Sequence, residues 1–261
     1  MKKNKYNPPD SILRKHQLRM LDILIFVDRL CEKYNIKYWL ASGTLLGAVR
    51  HSGFIPWDDD LDIEMPLEDF EKFLTVFQQQ DENPYLLQTH LTDNSYVAPY
   101  AKIRDRKSKI WETQSRDQNY VMRGIYIDVF PVEFSNSFLT KIFNRFYGFF
   151  VYRSSQKNKY DKYGFRRNYV NLMYFVFMQL IRPIFRLFNN RKRGIIHLSF
   201  GSGFNSKRYV DDIHPLSKVS FEGFLFNCPN NFDNYLKTLY GDYMKIPENK
   251  PIHTNKIDFF D

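Results

Sequence analysis

Apolar residues Leu13, Leu18, Leu21, Leu24, Ile25, Val27, Leu30 and Cys31 recur at helical spacing and predict an amphipathic helix from Leu13 to Tyr34. The apolar stretch Tyr38 to Ala41 then reads as a strand, closed by the turn Ser42-Gly43-Thr44 and followed by a helix-like run from Leu45 to Arg50. From Asp58 onward the pattern becomes an alternation. Leu61, Ile63 and Met65 interleave with Asp60, Asp62 and Glu64, as in a strand with one face buried. A further helix is expected over Leu67 to Gln79, with short strands near Tyr85 to Thr89, Pro99 to Arg104 and Ile125 to Val129. Helices and strands interleave without an internal repeat or long linker, so the class is α/β or α+β, in a single domain over residues 1–261.

The alternating segment carries the most distinctive chemistry. Positions 58 to 62 hold four aspartates, and on an extended strand Asp58, Asp60 and Asp62 project from one side. Three carboxylates on one face repel unless a cation sits among them. Oxygen-only ligands suit magnesium or manganese. Read as a solvated acidic loop, the cluster would leave the interleaved Leu61, Ile63 and Met65 unexplained. Upstream, a strand running into a Gly-Thr turn at a helix start offers free backbone N–H groups to an anion. Gly43 would allow a phosphate to approach, Thr44 could cap the helix, and Arg50 lies near its other end. A metal-dependent site acting on phosphate is therefore expected. Asp128 lies alone in the apolar run Gly124-Ile-Tyr-Ile-Asp-Val-Phe130, where a carboxylate is either paired with a buried base or serves the site.

Composition narrows the class further. Of 261 residues 43% are hydrophobic and 18% aromatic, ample for a core and far from a disordered chain. The two cysteines, Cys31 and Cys228, lie far apart without Cys-x-x-Cys spacing, which argues against a zinc site or disulfide scaffold and suits a reducing cytoplasm. They are expected to be small buried apolar residues. The basic N-terminus has no apolar core behind it, so no signal peptide is expected.

The net charge of +9 is not spread evenly: residues 150–208 hold thirteen Lys and Arg against one acid, Asp161, leaving the remainder net acidic. Apolar stretches Phe138 to Tyr152 and Tyr169 to Phe188 lie within and beside this region. The second is interrupted by Asn171, Gln179, Arg182, Pro183 and Arg186, so it falls short of an uninterrupted transmembrane span. A basic, aromatic helical subdomain over 137–208 is expected, either packing its aromatics inward or lying on an anionic membrane surface. The location implied is cytoplasmic, peripheral on the inner face of the cell membrane.

The run Gly43-Thr-Leu-Leu-Gly-Ala-Val-Arg-His-Ser-Gly-Phe-Ile-Pro-Trp-Asp-Asp-Asp-Leu-Asp-Ile63, with the helix before it, resembles the signature of the LicD family of phosphocholine transferases and fukutin-type polyol-phosphate transferases. Lys102-Ile-Arg-Asp105, Gly124 to Pro131, Phe221-Glu-Gly223, Tyr235-Leu236 and Tyr240-Gly-Asp-Tyr243 follow in order and extend the resemblance over roughly residues 13 to 255. It implies a nucleotidyltransferase-like mixed sheet flanked by helices, with an Asp-x-Asp pair and a third carboxylate from a later strand, a role that Asp128 fits. The reaction implied is transfer of a phospho-alcohol from a CDP-activated donor to a sugar hydroxyl of a lipopolysaccharide, teichoic acid, capsule or glycolipid, with release of CMP.

On that reading Asp60, Asp62 and Asp128 are the metal ligands, Asp58 stands beside them, and Asp128 completes the metal site or takes the hydroxyl proton. Gly43 and Thr44 would hold the donor phosphate. Arg50, Lys102 and Arg104 would contact the diphosphate or form ordinary salt bridges. Trp57 would stack on the cytosine or the acceptor, or belong to the core. His51 is expected to be structural, and His253 a substrate contact. Two other functions fit parts of the sequence: a nucleotidyltransferase placing NMP on a small molecule or RNA, and a non-catalytic membrane- or nucleic-acid-binding protein. The leading reading expects no nucleic-acid partner.

Overall fold

The amphipathic stripe near the N-terminus folds as α1 (Ile12–Lys33), capped by Ser11, whose hydroxyl accepts the Arg14 N–H at 3.1 Å. In this computed structural model residues 6–80, 83–111, 120–155, 165–188, 194–248 and 256–260 are described. The face of α1 that enters the core carries Met20, Ile23, Leu24 and Val27, all fully buried. Leu18, expected on that stripe, points outward instead, and Gln17 takes the buried position.

A seven-stranded mixed sheet forms the centre. Strand β1 (Trp39–Leu40) pairs antiparallel with β2 (Asp62–Pro66), which runs parallel to β6 (Tyr126–Phe134). On the other side of β6, β4 (Ala101–Asp105) pairs with its first half and β7 (Ile195–Leu198) with its last residues, both antiparallel. The sheet is completed by β3 (Tyr85–Gln88) on β4 and β8 (Lys207–Tyr209) on β7, while β5 (Ser108–Trp111) pairs separately with a strand over Lys256–Phe259. Ile127, Val129, Ile63 and Met65 lie between this sheet and its helices with no exposure. A parallel pair buried on both faces explains why β6 reads as a near-continuous apolar run.

Two expected boundaries shift. The turn Ser42-Gly43-Thr44 is the first turn of α2 (Ser42–His51) itself, with Ala41 at the cap, so Thr44 does not cap the helix. The carboxylate strand begins only at Asp62; Asp58, Asp59 and Asp60 precede it in a loop, so they do not share a strand face. Helix α3 (Leu67–Gln78) follows β2 directly, with Glu68 and Asp69 favourably placed in its first turn.

The chain between β6 and β7 forms α4 (Ser137–Ser155), α5 (Phe165–Phe175), a π-helical segment (Val176–Ile181) and α6 (Arg182–Leu187). These helices build a second apolar cluster around Phe143, Tyr147, Phe150, Val170 and Met178, separate from the main core. Within the region 137–208, residues of β7 and β8 return to the main sheet. A hairpin of β9 (Ser217–Phe221) and β10 (Phe224–Cys228) turns through Glu222 and Gly223, both at positive φ as in a type I′ turn. The Glu222 carboxylate accepts Arg14 at 2.6 Å and the Phe54 N–H at 3.1 Å, which docks the hairpin tip against α1 and the end of α2. Cys31 and Cys228 are free and buried.

Candidate active site

The parallel pairing of β2 and β6 sets Asp62 directly opposite Asp128. The Asp62 N–H donates to Thr44 Oγ1 at 2.8 Å, the Ala41 N–H donates to the Asp62 carbonyl at 3.1 Å, and the Asp128 N–H donates to the Leu61 carbonyl at 2.8 Å. The backbone on which both carboxylates stand is thus fixed by α2 and the neighbouring strand. Ahead of β2, the Gln17 amide reaches from α1 to the Asp58 carbonyl at 2.9 Å and pins the aspartate loop.

A cavity of about 500 Å³ opens where these elements meet, lined by Ser42, Gly43, Asp58, Asp60, Asp62 and Asp128. Leu46, Ile55, Tyr100, Phe130, Phe204, Arg208 and Tyr240 also contribute to its wall. Gly43 lets the Asp58 carboxylate come close to the helix start, since a Cβ there would lie 3.1 Å from Asp58 Oδ2 and would press it aside by a few tenths of an ångström. Ser42 enters α2 at a φ of 46°, local strain of the kind that collects at functional sites.

Burial pushes the Asp58 carboxyl up to about 8, with the charge of Asp60 adding to the effect. Burial likewise holds Asp62 well above the usual carboxylate range, reinforced by Asp60 and Asp128. Asp128 is raised by burial as well, although Lys102 Nζ lies 2.7 Å from its Oδ1 and opposes the rise. These carboxyls are happier protonated in the fold than in the unfolded chain, so their stabilising contribution is present at low pH and lost as pH climbs. Buried His16 and His197 are both held at about 4; they oppose folding only below the ordinary histidine range, by resisting protonation. Metal-free protein is therefore expected to lose thermal stability between pH 6.5 and 8, and Asp58→Asn to flatten that decline in a Tm series. A flat wild-type profile would show that Asp58 is solvated.

The other expected site residues separate into two groups. Lys102 is at the site, on Asp128 and over the Tyr126 ring at 3.4 Å from its centroid. Gly43 lines the cavity, whereas the Thr44 side chain is committed to Asp62. Arg104 is turned into the sheet layer: its Nε donates to Gln88 Oε1 at 2.5 Å and its Nη1 to the Gly124 carbonyl at 2.8 Å, with 1% exposure. It reaches Asp128 only through its field. Arg50 is likewise turned away, to His51 at 3.0 Å and the Tyr243 carbonyl at 2.8 Å. Trp57 is buried edge-on to Tyr6 and His51, a core position outside the cavity wall. His253 lies outside the described residues.

The sequence reading missed Gln17, Tyr100, Phe204, Arg208 and Tyr240. Gln17 left a signal, a polar residue four positions from both Leu13 and Leu21 on an apolar stripe. Tyr240 lies in the Tyr240-Gly-Asp-Tyr243 segment of the resemblance, which gave it no role, and the other three left no signal, since each reaches the cavity from a distant part of the chain.

The donor chemistry fits a hard divalent cation: four carboxylates line one cavity, and three of them are held above their normal range by burial and by the charges of one another. Among the described residues no three such groups are already drawn together at ligand spacing. The fit is therefore one of charge and donor type, with Asp58, Asp60, Asp62 and Asp128 the residues that could hold the ion.

Residues 35–179 match the family model described as LicD/FKTN/FKRP, nucleotidyltransferase domain. The lipopolysaccharide cholinephosphotransferase LicD of Haemophilus influenzae is 30% identical over 267 aligned residues, covering 92% of this chain and 96% of that protein. The human ribitol 5-phosphate transferase FKRP is 48% identical over 44 residues, 17% of this chain and 9% of its own length. An uncharacterized protein of Rickettsia typhi is 49% identical over 71 residues, 26% of this chain and 23% of its length. Matched across most of its length and carrying the acidic cavity where two parallel strands set their aspartates side by side, the chain belongs to the LicD family and is a phosphotransferase.

Proposed function

We propose that this enzyme moves phosphocholine from CDP-choline to a hydroxyl of a cell-surface glycan or glycolipid, releasing CMP, with magnesium or manganese held by Asp60 and Asp62 beside Asp58. The carrying observation is that one cavity joins the four carboxylates to an aromatic corner. The rings of Tyr100 and Phe130 lie 4.4 Å apart, and Phe204 stands edge-on to Phe130 at 5.9 Å and 89°. Ring faces meeting at a corner attract a quaternary ammonium, which a polyol lacks. The match to the choline-transferring relative covers nearly its whole length, whereas the match to the ribitol-transferring one is a short segment.

A bound divalent cation would supply neutralisation of the phosphate oxygens as charge develops. The rest falls to the chain. The first turn of α2 presents backbone N–H groups beside Gly43 to the donor phosphate. An ammonium 2.7 Å away makes Asp128 a poorer cation ligand than Asp60 or Asp62, and its raised pKa suits a base. Asp128 therefore accepts the proton of the attacking hydroxyl. Lys102 brings positive charge to Asp128 at the cavity, whereas Arg208 lines the wall with its guanidinium already paired to Glu64.

The test is product analysis with CDP-choline, CDP-ribitol, CDP-glycerol and CTP, each with a glycan acceptor and with or without magnesium. Magnesium-dependent CMP release from CDP-choline is expected. Pyrophosphate release from CTP with no turnover of any CDP-alcohol would replace this reading with nucleotidyl transfer. Phe204 is 52% exposed and dispensable to the core, so Phe204→Ala should raise KM for CDP-choline by about tenfold with kcat little changed. An unchanged KM would remove the aromatic corner from choline recognition.

A further inference from the structure

The helical stretch that spans α5, the π-helical segment and α6 is inside out. A helix on a water-soluble protein turns its apolar side inward and its charges outward. Here Arg182 and Arg186 point inward, to Glu133 of β6 at 3.3 Å and 2.6 Å, and Arg182 also reaches Ser199 at 2.6 Å. Leu172, Phe175, Leu180, Ile184 and Leu187 point outward, each at least 52% exposed. The stretch Asn168–Leu187 is long and apolar enough to cross a bilayer by length and composition, and 11% of its apolar window is buried. It is nevertheless tied to the domain along its inner side. Besides the Glu133 network, Tyr174 stacks on His90 at 3.7 Å and Met178 enters the second core.

The companion helix α4 also carries an outward apolar face, although its charges among the described residues face outward with it. Phe143, Tyr147 and Phe150 pack inward, while Phe138, Phe146, Phe149 and Tyr152 are more than half exposed and interleave with exposed Lys141 and Arg145. Between 150 and 208 the sequence holds thirteen basic residues against one acid, and of the basic ones only Arg182, Arg186 and Arg208 are turned to buried carboxylates, Glu133 and Glu64, among the described residues. Among the described residues, Lys141 and Arg145 carry positive charge between the outward aromatics of α4, and an apolar face set with cations matches a bilayer whose headgroups are anionic.

We infer that the outward faces of α4 and of the α5–α6 stretch are a membrane-docking surface, on which the enzyme lies in the plane of an anionic bilayer without spanning it. The inference uses no feature of the acidic cavity, so it stands or falls separately from the transfer reaction. It would place the catalytic domain beside any acceptor carried on a lipid.

The experiment is co-sedimentation of the full chain with vesicles of phosphatidylcholine alone or mixed with phosphatidylglycerol. The wild type should bind the mixed vesicles, more weakly as salt rises. Leu172→Ser, Leu180→Ser and Ile184→Ser together should weaken that binding about tenfold or more, since anchoring scales with buried apolar area. Tm and turnover with a water-soluble acceptor should not change. Cys31 and Cys228 are buried, so Leu180→Cys can carry an environment-sensitive fluorophore, whose emission should shift to the blue on vesicles. Equal sedimentation of wild type and triple variant, or an unshifted probe, would overturn the inference. So would a wild-type dimer that ignores vesicles and becomes monomeric in the triple variant, because a second copy would then be what covers the face.

Discussion

Asp62→Asn is expected to lower the rate of CMP release by about two to three orders of magnitude while raising the Tm of the metal-free protein. Its carboxylate stands half-buried on the cavity wall among Asp58, Asp60 and Asp128, and that environment disfavours its charge. The backbone at this position is held by Thr44 and Ala41 through its own N–H and carbonyl, neither of which the substitution touches. An amide of nearly the same shape therefore keeps the fold and relieves repulsion. It also removes the negative oxygen that a phosphate-bound cation would need. Activity and stability should move in opposite directions, as at sites where function is bought with local strain. Initial rates and thermal melts on one preparation check both. Turnover near that of the wild type would remove Asp62 from the chemistry, and a fall in metal-free Tm would make its carboxylate a structural group.

Arg208→Met is expected to destabilise the fold by about 3–5 kcal/mol, because it strands a buried charge. Glu64 is fully buried on β2, two residues beyond Asp62, and accepts Arg208 Nε at 2.7 Å and Trp39 Nε1 at 3.0 Å. Arg208 is itself 3% exposed and is fixed further by the Ser206 carbonyl at 2.8 Å. Without the guanidinium, Glu64 must take up a proton or draw in water. For a domain of this size the loss should lower Tm by on the order of 10 °C. Pairing the change with Glu64→Gln should recover most of it, since removing both charges costs less than removing one. A double variant no more stable than Arg208→Met would show that packing, and not the stranded carboxylate, dominates. Arg208 also lines the acidic cavity, so the rescued double variant separates its part in catalysis from its part in folding.

Much of the fold could be read along the chain because local periodicity reports burial. The stripe of α1 and the helix after β2 appeared within one residue of their observed limits, and the start of β6 likewise, although β6 runs on to Phe134, five residues past its expected end. The placements that failed share one cause. Arg50 and Arg104 were candidate phosphate contacts by charge and proximity in sequence, yet both guanidiniums turn to backbone carbonyls that no local pattern announces. The loop before β2 was read as strand because alternation continued through it. It stops short because β1 supplies only two residues of pairing, to Ile63 and Glu64.

The sequence by itself determined the stripe of α1, the helix after β2, the family and the cluster of aspartates, since these depend on residue chemistry and short-range spacing. Tertiary structure alone decided the register that sets Asp62 against Asp128, the aromatic corner opposite them, and the direction in which each arginine points. Those features join residues far apart in the chain. They follow from strand pairing and from the need to satisfy every buried polar group, and both are properties of the whole packed chain rather than of any segment.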